Sequence, residues 1–532
     1  MLKRLIVFVG MATGVLSLNA QGLDQQIDQK VKPVSDFIES VVFFPIPIGG
    51  GATLPVVLLF LIFAAVYCTI YFKFPNVRYF KLAMDTVRGR YIKMEKMHSH
   101  IHENSLVNIV DGDIVDTIKN ENLAGEVNHF QALSSALSGT LGLGNISGVA
   151  IAIAIGGPGA TFWMILSGLL GMASKFTECT LGIKYRDIGP DGTVYGGPMY
   201  YLSKGLAVKG MARLGKVLAV IFAVFCIGGT LGGGNMFQSN QTAEMFKYIF
   251  KFNTGYSGFL VGVFMAMLIG LVILGGIKRI AAVAERVVPF MCGLYIIACL
   301  LIVFMNLQFV PEAFSAIIKG AFYPDSIAGG MIGVLIMGFR RACFSNEAGI
   351  GSAPIAHSAV RTNFPASEGI VSLLEPFVDT VIVCTMTAIV IIVSNAHYHF
   401  LDYGANNGLN GVTLTSVAFE SVIPGFSYVL GVAVFLFAFS TMISWSYYGL
   451  QAWVYLFGRT KRSANVYKLL FLFFVIVGGS IQLKSVVGVS DSLILAMVFP
   501  NLVGLIILAP NVKEELARYL VAIKEYKIKL VK

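Results

Sequence analysis

The stretch Ser138–Gly148, SGTLGLGNISG, lies inside an apolar run that extends from Ala132 to Ile155. It contains four glycines, at positions 139, 142, 144 and 148. Each glycine disfavours an α-helix by about 1 kcal/mol relative to alanine, so their accumulation predicts an unwound segment. If the run spans a membrane, unwound backbone persists there only where it lines a protein cavity or binds a polar ligand. This stretch is therefore a candidate binding site.

The composition is that of an integral membrane protein. Of 532 residues, 56% are hydrophobic and 13% are charged, with a mean hydropathy of +0.76. Soluble domains contain about 25% charged residues. A membrane helix needs roughly 20 apolar residues, and about eleven such stretches follow the N-terminal region. The sequence predicts an all-α membrane protein with about eleven transmembrane helices, surrounded by the lipid bilayer.

The net charge of +10 indicates orientation and not a nucleic acid partner. Lys and Arg cluster in short connections on alternate sides of the apolar segments, as the positive-inside rule requires. The pattern predicts a multi-pass protein of the plasma (inner) membrane, with the mature N-terminus outside and the C-terminus in the cytoplasm. The seven cysteines lie mostly in apolar segments. They favour packing roles and indicate neither disulfides nor a zinc site.

The N-terminus precedes the first full span. Lys3 and Arg4 stand before a short apolar run, which predicts a signal peptide at 1–20; an uncleaved anchor helix is the alternative. The predicted order is then a periplasmic segment at 21–51, an extra transmembrane helix at 52–73, a basic cytoplasmic connection at 74–131, a membrane-spanning core at 132–510 and a cytoplasmic tail at 511–532.

Ten spans are predicted within the core, and they permit a division into two sets of five. They lie at about 132–155, 160–184, 216–246, 256–275, 280–305, 327–357, 369–395, 427–456, 466–482 and 487–509.

An inverted repeat is one interpretation of this arrangement. Gly142–Asn145, GLGN, in the first core span is echoed by Gly349–Ser352, GIGS, in the sixth, and these spans cross in opposite directions. Interrupted helices in corresponding positions are typical of transporter sites. The predicted repeats are 132–305 and 327–510. The alternative is that both motifs are helix-packing glycines.

An interrupted helix suits a zwitterion and a cation. The ends of two half-helices present amide donors on one side and free carbonyls on the other, which bind a carboxylate and a cation respectively. An amino acid with a sodium ion matches both sets. Thr140 and Asn145 would add side-chain oxygens of the hard type that sodium accepts.

Several longer segments resemble a known family. SALSGTLGLGNISGVAIAIAIGGPGATFWM, GGPMYYL, GGGNMFQSN, LVILGGIKRIAAVAERVVPFM and FSNEAGIGSAPIAHSA are similar to the alanine or glycine:cation symporter family, of the amino acid-polyamine-cation type superfamily. The likeness covers about 52–510. It implies sodium-coupled symport of a small neutral amino acid, alanine or glycine, with no cofactor. It also implies a five-plus-five inverted repeat core as in neurotransmitter:sodium symporters, preceded by one extra helix.

The resemblance also implies roles for residues at the first break, because Leu141–Asn145 is similar to the first-helix break of neurotransmitter:sodium symporters. The carbonyls of Ser138 and Leu141 would face sodium, and the amides of Leu143 and Gly144 the substrate carboxylate. The Ala438 carbonyl and the Thr441 hydroxyl would complete the sodium site. Alternatively, the Thr441 hydroxyl bonds its own helix.

Other polar and aromatic residues extend the predicted substrate site. Asn235, Gln238 and Thr242 share one helix face, and the resemblance favours Gln238, with Phe237, as a substrate contact. Gluing of neighbouring helices is the alternative. Trp445, one turn beyond Thr441, is predicted to wall the pocket, with ordinary packing as the other interpretation.

The sixth core span offers carbonyls for the substrate ammonium at Phe344, Ser345 and Asn346. Nearby, Arg340 and Arg341 with Glu347 would form a cytoplasmic gate, or a snorkelling cluster at the inner surface.

Glu375 and Asp379 are spaced i,i+4 in the seventh core span. If one carboxyl stays neutral they form a proton relay, which makes proton coupling the alternative mechanism. The competing interpretation places them near the inner surface, paired with Lys or Arg.

An enzyme is not predicted, because all seven histidines fall in loops or near span ends and no catalytic constellation emerges. An ion channel needs a continuous polar lining, whereas the polar positions here are isolated. The sequence does not choose between alanine and glycine.

Overall fold

The computed structural model describes residues 23–49, 52–99, 109–110, 113–114, 125–189, 192–252, 254–323, 330–404 and 411–531. The predicted signal peptide at 1–20 lies outside the described residues. The structure is almost entirely helical, with three short antiparallel strand pairs at its periphery.

The chain before the core begins with a helix and a hairpin. A first apolar helix follows, near the predicted extra span at 52–73, and then three short helices and a second strand pair. The elements are α1 (Leu23–Val42), β1 (Pro45–Gly49), β2 (Ala52–Pro55), α2 (Val56–Tyr71), α3 (Pro75–Arg78), α4 (Phe80–Val87), α5 (Ile92–Ser99), β3 (Ile109–Val110) and β4 (Asp113–Ile114). In the first hairpin, Pro45 lies opposite Pro55.

The first core span is broken, as its glycines predict. Helix α6 (His129–Thr140) starts at a capping box: the Asn128 side chain accepts from the Gln131 backbone amide, and the Gln131 side chain accepts from the Asn128 backbone amide. It ends at Thr140. A π-helical turn (Gly144–Gly148) then leads into α7 (Val149–Gly156). The two halves meet at 51°, so the predicted interruption is confirmed.

The rest of the first half of the core contains long helices joined by short connections. They are α8 (Ala160–Lys184), β5 (Asp187–Ile188), β6 (Val194–Tyr195), α9 (Pro198–Tyr200), a π turn (Tyr201–Gly205), α10 (Leu206–Val208), α11 (Ala212–Leu231), a π turn (Gly232–Met236), α12 (Phe237–Phe250), α13 (Ser257–Ile273) and α14 (Gly276–Met305).

The second half contains another interrupted helix. Its elements are a 3-10 turn (Leu307–Phe309), α15 (Val310–Phe322), α16 (Gly330–Asn346), α17 (Ala353–His357), α18 (Pro365–Val371), α19 (Leu374–Pro376), a π segment (Phe377–Cys384), α20 (Thr385–Tyr398), α21 (Val412–Glu420), α22 (Phe426–Phe457), α23 (Lys461–Ser480), α24 (Leu483–Ala496) and α25 (Val498–Val531).

The second interruption lies between α16 and α17. Glu347, Gly349 and Gly351 all have positive φ, at 57°, 84° and 91°. Left-handed backbone is inexpensive for glycine and strained for glutamate. The two glycine motifs noted in the sequence therefore both coincide with breaks.

Helix α8 positions both breaks, because it packs against α16, α17, α18 and α2. Its burial includes charged residues such as Lys175 and Glu178, both fully buried. Among the described residues, six helices are long and apolar enough to span a membrane, or seven with the bent α6–α7 pair. This supports a multi-pass membrane protein, while the count of eleven spans and the inverted repeat stay predictions.

Candidate functional site

The two breaks meet around a small cavity in the core. A Cβ built on Gly144 would lie 3.3 Å from the Ser345 Cα, so the backbones are close where the first π turn passes α16. The residues that line the cavity come from five parts of the chain: Gly139, Thr140, Gly142, Gly144, Gly233, Gln238, Phe344, Glu347, Thr441, Trp445 and Ile494.

The cavity includes several residues that the sequence predicts for substrate. Thr140, Gly144, Gln238, Phe344 and Trp445 line it, as does Thr441 from the predicted sodium set. The glutamate of the second break also lines it, although the sequence interpretation assigned that residue to a gate.

The Gln238 side chain satisfies one backbone amide of the first break. The Leu143 amide donates to Gln238 Oε1 at 2.9 Å, and Gln238 Nε2 donates to the Gly233 carbonyl at 2.9 Å. The side-chain amide thus joins two glycine-rich segments, and its oxygen occupies the acceptor position that a ligand carboxylate would need. Phe237 lies behind the cavity, with its ring centroid 5.0 Å from that of Phe344.

Asn145 holds the break itself. Its Oδ1 accepts the Gly142 amide at 2.9 Å, while its Nδ2 donates to Asp379 Oδ1 at 2.6 Å. The Asn145 carbonyl accepts from the Thr387 hydroxyl at 2.8 Å. The side-chain oxygen is therefore bonded within the unwound segment, a different use from the predicted ligand role.

Asp379, predicted from the sequence as half of a proton relay with Glu375, lies instead beside the two breaks. It is fully buried and accepts from the Ser345 hydroxyl at 2.9 Å and the Thr380 hydroxyl at 2.7 Å, in addition to Asn145. Within the described part of the chain, it has no ion-pair partner among Lys, Arg and His. The π segment aims it at both breaks, and residue spacing alone does not reveal a π segment.

The predicted sodium ligands lie where α6 meets α22. The Thr441 hydroxyl donates to the Leu141 carbonyl at 3.3 Å. The Ser138 hydroxyl donates to the Ser440 carbonyl at 2.8 Å, and Ala438 is fully buried on the same helix. The structure thus brings Leu141 and Thr441 together and shows that the Thr441 hydroxyl bonds across helices.

The second break contributes polar groups of its own. Asn346 accepts the Ala348 amide at 2.9 Å through Oδ1 and donates to the Thr380 hydroxyl at 3.0 Å. Glu347 Oε1 accepts from Trp445 Nε1 at 2.9 Å, and its other oxygen accepts from Ser352. Trp445 packs against a glycine face, since a Cβ on Gly234 would lie 2.3 Å from its ring.

The predicted gate of Arg340, Arg341 and Glu347 is not formed. Arg340 Nε lies 2.6 Å from Asp491 Oδ2, and Arg341 contacts the same oxygen. Arg340 also lies 3.4 Å from Glu39 on α1. Both arginines thus point to α24 and not to the second break.

The predicted Glu375–Asp379 relay is also divided. Glu375 Oε1 lies 3.0 Å from Lys175 Nζ, as its alternative interpretation expected, while Asp379 faces the breaks.

On α12 and its preceding turn, Asn235 donates to the Phe471 carbonyl and Thr242 to its own helix, so these two residues stabilise packing.

Comparisons with known proteins give a consistent result. The model of the "Sodium:alanine symporter family" matches residues 49–532. The "Sodium/alanine symporter AgcS" of Methanococcus maripaludis is 40% identical over 398 residues, covering 75% of this chain and 85% of the relative. The "Putative sodium/proton-dependent alanine carrier protein YrbD" of Bacillus subtilis is 36% identical over 423 residues, covering 78% and 84%.

Similar solved structures include the one titled "Crystal structure of MhsT in complex with L-phenylalanine". It has 14% sequence identity and a TM-score of 0.47, and the match covers 73% of this chain and 99% of the other.

Proposed function

The chain belongs to the sodium:alanine symporter family, and on that premise we propose that it carries alanine or glycine into the cell with sodium by alternating access. The observation that carries the proposal is the meeting of two helix breaks at one buried cavity. Broken helices provide binding groups without any net protein charge. The membrane would be the plasma (inner) membrane, with the C-terminus in the cytoplasm, in agreement with the distribution of Lys and Arg.

The sodium ion would lie between α6 and α22. Its ligands are the carbonyls of Ser138, Leu141 and Ala438 and the Thr441 hydroxyl. Hard cations of this size sit roughly 2.3–2.6 Å from oxygen ligands, so the two oxygens of Leu141 and Thr441, 3.3 Å apart, can share one ion. The ion would then bind both the unwound segment and the opposing helix, so its arrival would favour one arrangement of the two.

The substrate carboxylate would bind at the start of the first π turn. Amides at the N-terminus of a helical segment lack intrahelical partners and bind anions, which describes the Gly144 amide. The Leu143 amide donates at present to Gln238 Oε1. In the proposed complex a carboxylate oxygen takes over that hydrogen bond, and Gln238 then contacts the ligand together with Thr140, while Asn145 continues to hold the Gly142 amide.

The substrate ammonium would bind at the second break. Carbonyls of Phe344, Ser345 and Asn346 are available there, and the Glu347 carboxylate adds a full negative charge. Glu347 is 2% exposed and its two oxygens accept only from the neutral donors of Trp445 and Ser352 among the contacts described. A cationic ligand would neutralise this buried charge, which otherwise costs several kcal/mol.

A small substrate agrees with the walls of this cavity. Glycines at 139, 142, 144 and 233 line it, and the Trp445 ring packs directly on Gly234. A glycine wall lets the backbone approach the ligand closely, while the indole limits the length of a ligand side chain.

Proton coupling is the second candidate, and Asp379 favours it. This buried carboxylate accepts hydrogen bonds from Asn145, Ser345 and Thr380 only, among the described contacts. A buried carboxyl without a basic partner is stabilised either by a proton or by a cation. Glu375 no longer contributes to this alternative, because it is bonded to Lys175.

Uptake of labelled alanine into proteoliposomes tests the proposal, with sodium, lithium and proton gradients imposed separately. We expect concentrative uptake with a sodium gradient, competed by glycine and weakly by leucine. Uptake driven equally well by a proton gradient alone would favour the second candidate. Absence of alanine and glycine uptake with every gradient would contradict both.

Thr441→Ala and Thr441→Ser form the matched variants for the sodium site. Serine keeps the hydroxyl, so its sodium dependence should stay near that of the wild type. Alanine removes one oxygen ligand, and we expect the apparent sodium constant to rise about tenfold, with a smaller effect on substrate selectivity. Equal sodium constants in both variants would exclude Thr441 as a ligand.

A further inference from the structure

Six titratable side chains, five of them buried and the sixth, Glu95, partly buried, form a continuous chain outside the cavity. Glu95 Oε1 lies 3.5 Å from His129 Nε2, and His129 Nδ1 contacts Glu368 Oε2. The other oxygen of Glu368 lies 2.6 Å from His357 Nδ1, and His357 Nε2 lies 3.3 Å from Glu375 Oε2. Glu375 in turn lies 3.0 Å from Lys175 Nζ, which ends the chain.

The members alternate between acids and bases, and the geometry assigns their charges. Both ring nitrogens of His357 face carboxylate oxygens, and an imidazole donates from both nitrogens only as the imidazolium. His129 likewise has a carboxylate on each side. With both rings charged, three cations balance three carboxylates, as a buried charge cluster requires.

Glu368 joins the two interrupted helices. His129 is the first residue of α6, and His357 is the last residue of α17, so each lies at the end of a half-helix whose other end is a break. One carboxylate on α18 holds both. Glu95 adds helix α5 through the hydrogen bond that it accepts from Thr362 at 3.0 Å.

The location of these six side chains relates them to access to the cavity from the cytoplasmic side. Residue 129 lies at the end of the basic connection predicted at 74–131, which the positive-inside rule assigns to the cytoplasm. While the chain is intact, the half-helices α6 and α17 are fixed to α18 and α8 below the cavity. Moving either half-helix outward breaks at least one contact with Glu368.

We propose that these six residues, Glu95, His129, Glu368, His357, Glu375 and Lys175, form a proton-locked inner latch. Loss of a proton from His129 or His357 removes a donor and leaves a buried carboxylate unbalanced, so alkaline conditions release the latch and acid holds it closed. Opening toward the cytoplasm then becomes faster as cytoplasmic pH rises. The proposal does not depend on which amino acid or ion is carried.

Other charged or titratable groups around the chain do not replace its contacts. They are Glu178, which accepts from Asn501; Glu347, which accepts from Trp445 and Ser352; Arg186, which donates to the Ser358 and Val360 carbonyls; Glu285, which accepts from Gln131; Arg518, which donates to the Asn363 carbonyl; the Lys184–Glu515 ion pair; and Tyr519, whose hydroxyl meets that of Thr86.

Hydrogen–deuterium exchange of the peptide covering 129–140, in nanodiscs, tests the latch without transport. After correction for intrinsic exchange, wild-type protection should fall by at least about threefold between about pH 7 and about pH 10, because the carboxylates beside both rings stabilise their imidazolium forms. Glu368→Gln should lose protection already at the lower pH, and His357→Gln is the second variant if the first does not fold. Glu285→Gln, which removes a charge near α6 outside the chain, is the control and should behave as the wild type.

The proposal is overturned if wild-type protection is independent of pH, or if both latch variants match the control. Efflux from right-side-out vesicles tests on which side of the membrane the latch responds to pH. Faster efflux with alkaline pH on the inner face supports the latch, whereas a response to outer pH alone overturns its assignment to the cytoplasmic side. Absence of transport at every pH would count against the proposed function and leaves the exchange result to decide on the latch.

Discussion

Gly142→Ala is the substitution that tests the proposed sodium site most directly. A Cβ at position 142 would lie 2.5 Å from Thr441 Oγ1 and 3.1 Å from Gln238 Oε1. Ordinary contact starts near 3.4 Å, so the Thr441 hydroxyl must retreat by about 0.9 Å. A threonine side chain in a helix has two favoured rotamers, so its hydroxyl has few positions to which it can move. The methyl group therefore pushes the hydroxyl away from its partner, the Leu141 carbonyl.

The size of the effect follows from the cost of overpacking. Inserting a methyl group into a packed interior costs about 1–3 kcal/mol. If this cost falls on the proposed ion site, the apparent sodium constant should rise roughly 5- to 150-fold. The folded state itself should lose less, because the cavity beside residue 142 offers some space for relaxation.

The assay is sodium-dependent alanine uptake in proteoliposomes, with Gly148→Ala as the matched control. That substitution lies in the same segment, yet among the described residues the nearest neighbour of its Cβ is the Leu143 carbonyl oxygen at 3.9 Å. We expect the control to keep its sodium constant. The double variant Gly142→Ala with Thr441→Ala should relieve the clash without restoring sodium affinity. If Gly142→Ala stays within about twofold of the wild type, the reasoning from this contact is refuted.

Three further substitutions address the surroundings of the cavity. Lys175→Met removes one of the two cations beside the buried Glu375 carboxylate, the other being His357, and leaves the cluster with an unbalanced negative charge. Thermal unfolding in detergent should therefore show a loss of about 3–5 kcal/mol, partly recovered by adding Glu375→Gln; an unchanged Tm would contradict this ion pair. Gly234→Ala forces its Cβ into the Trp445 ring, 2.3 Å away, and should reduce alanine uptake more than glycine uptake, whereas Gly293→Ala, whose Cβ meets open space, should change neither. Trp445→Phe enlarges the cavity, so competition by larger amino acids should strengthen, and unchanged selectivity would exclude this wall.

The main interruption of the fold could be predicted from local sequence. Glycines lower helix stability wherever they stand, so four of them in Ser138–Gly148 predict a break without knowledge of the partners. The same argument applies to Gly349 and Gly351, whose positive φ the structure shows. Helix boundaries in apolar runs also follow from periodicity and charge. These features are local, which is why the sequence reveals them.

Side-chain partners across the fold could not be predicted in this way. Glu347 and the two arginines are neighbours in sequence, which suggested one ion-pair gate, yet Asp491 binds the arginines and Trp445 binds the glutamate. Such contacts join residues about a hundred or more positions apart, and no periodicity records them.

The histidines illustrate the same limit. The sequence places them near span ends, but nothing local indicates that Glu368 contacts both His129 and His357. The π segment that aims Asp379 at the breaks is a further case, since one extra residue per turn shifts every later side chain around the helix axis.

The backbone amides at the first break already have hydrogen-bond partners within the protein, which determines how a substrate carboxylate can be recognised. The amides of Gly142 and Leu143 are bonded to Asn145 and Gln238 side chains. A carboxylate that binds Leu143 therefore exchanges a neutral hydrogen bond for a charged one and does not add a bond. Neutral bonds contribute about 0.5–1.5 kcal/mol and charged ones about 1.5–3 kcal/mol. The gain per exchanged bond is thus about 1 kcal/mol, so the substrate's charges, and not its number of polar atoms, must supply the selectivity for a zwitterion.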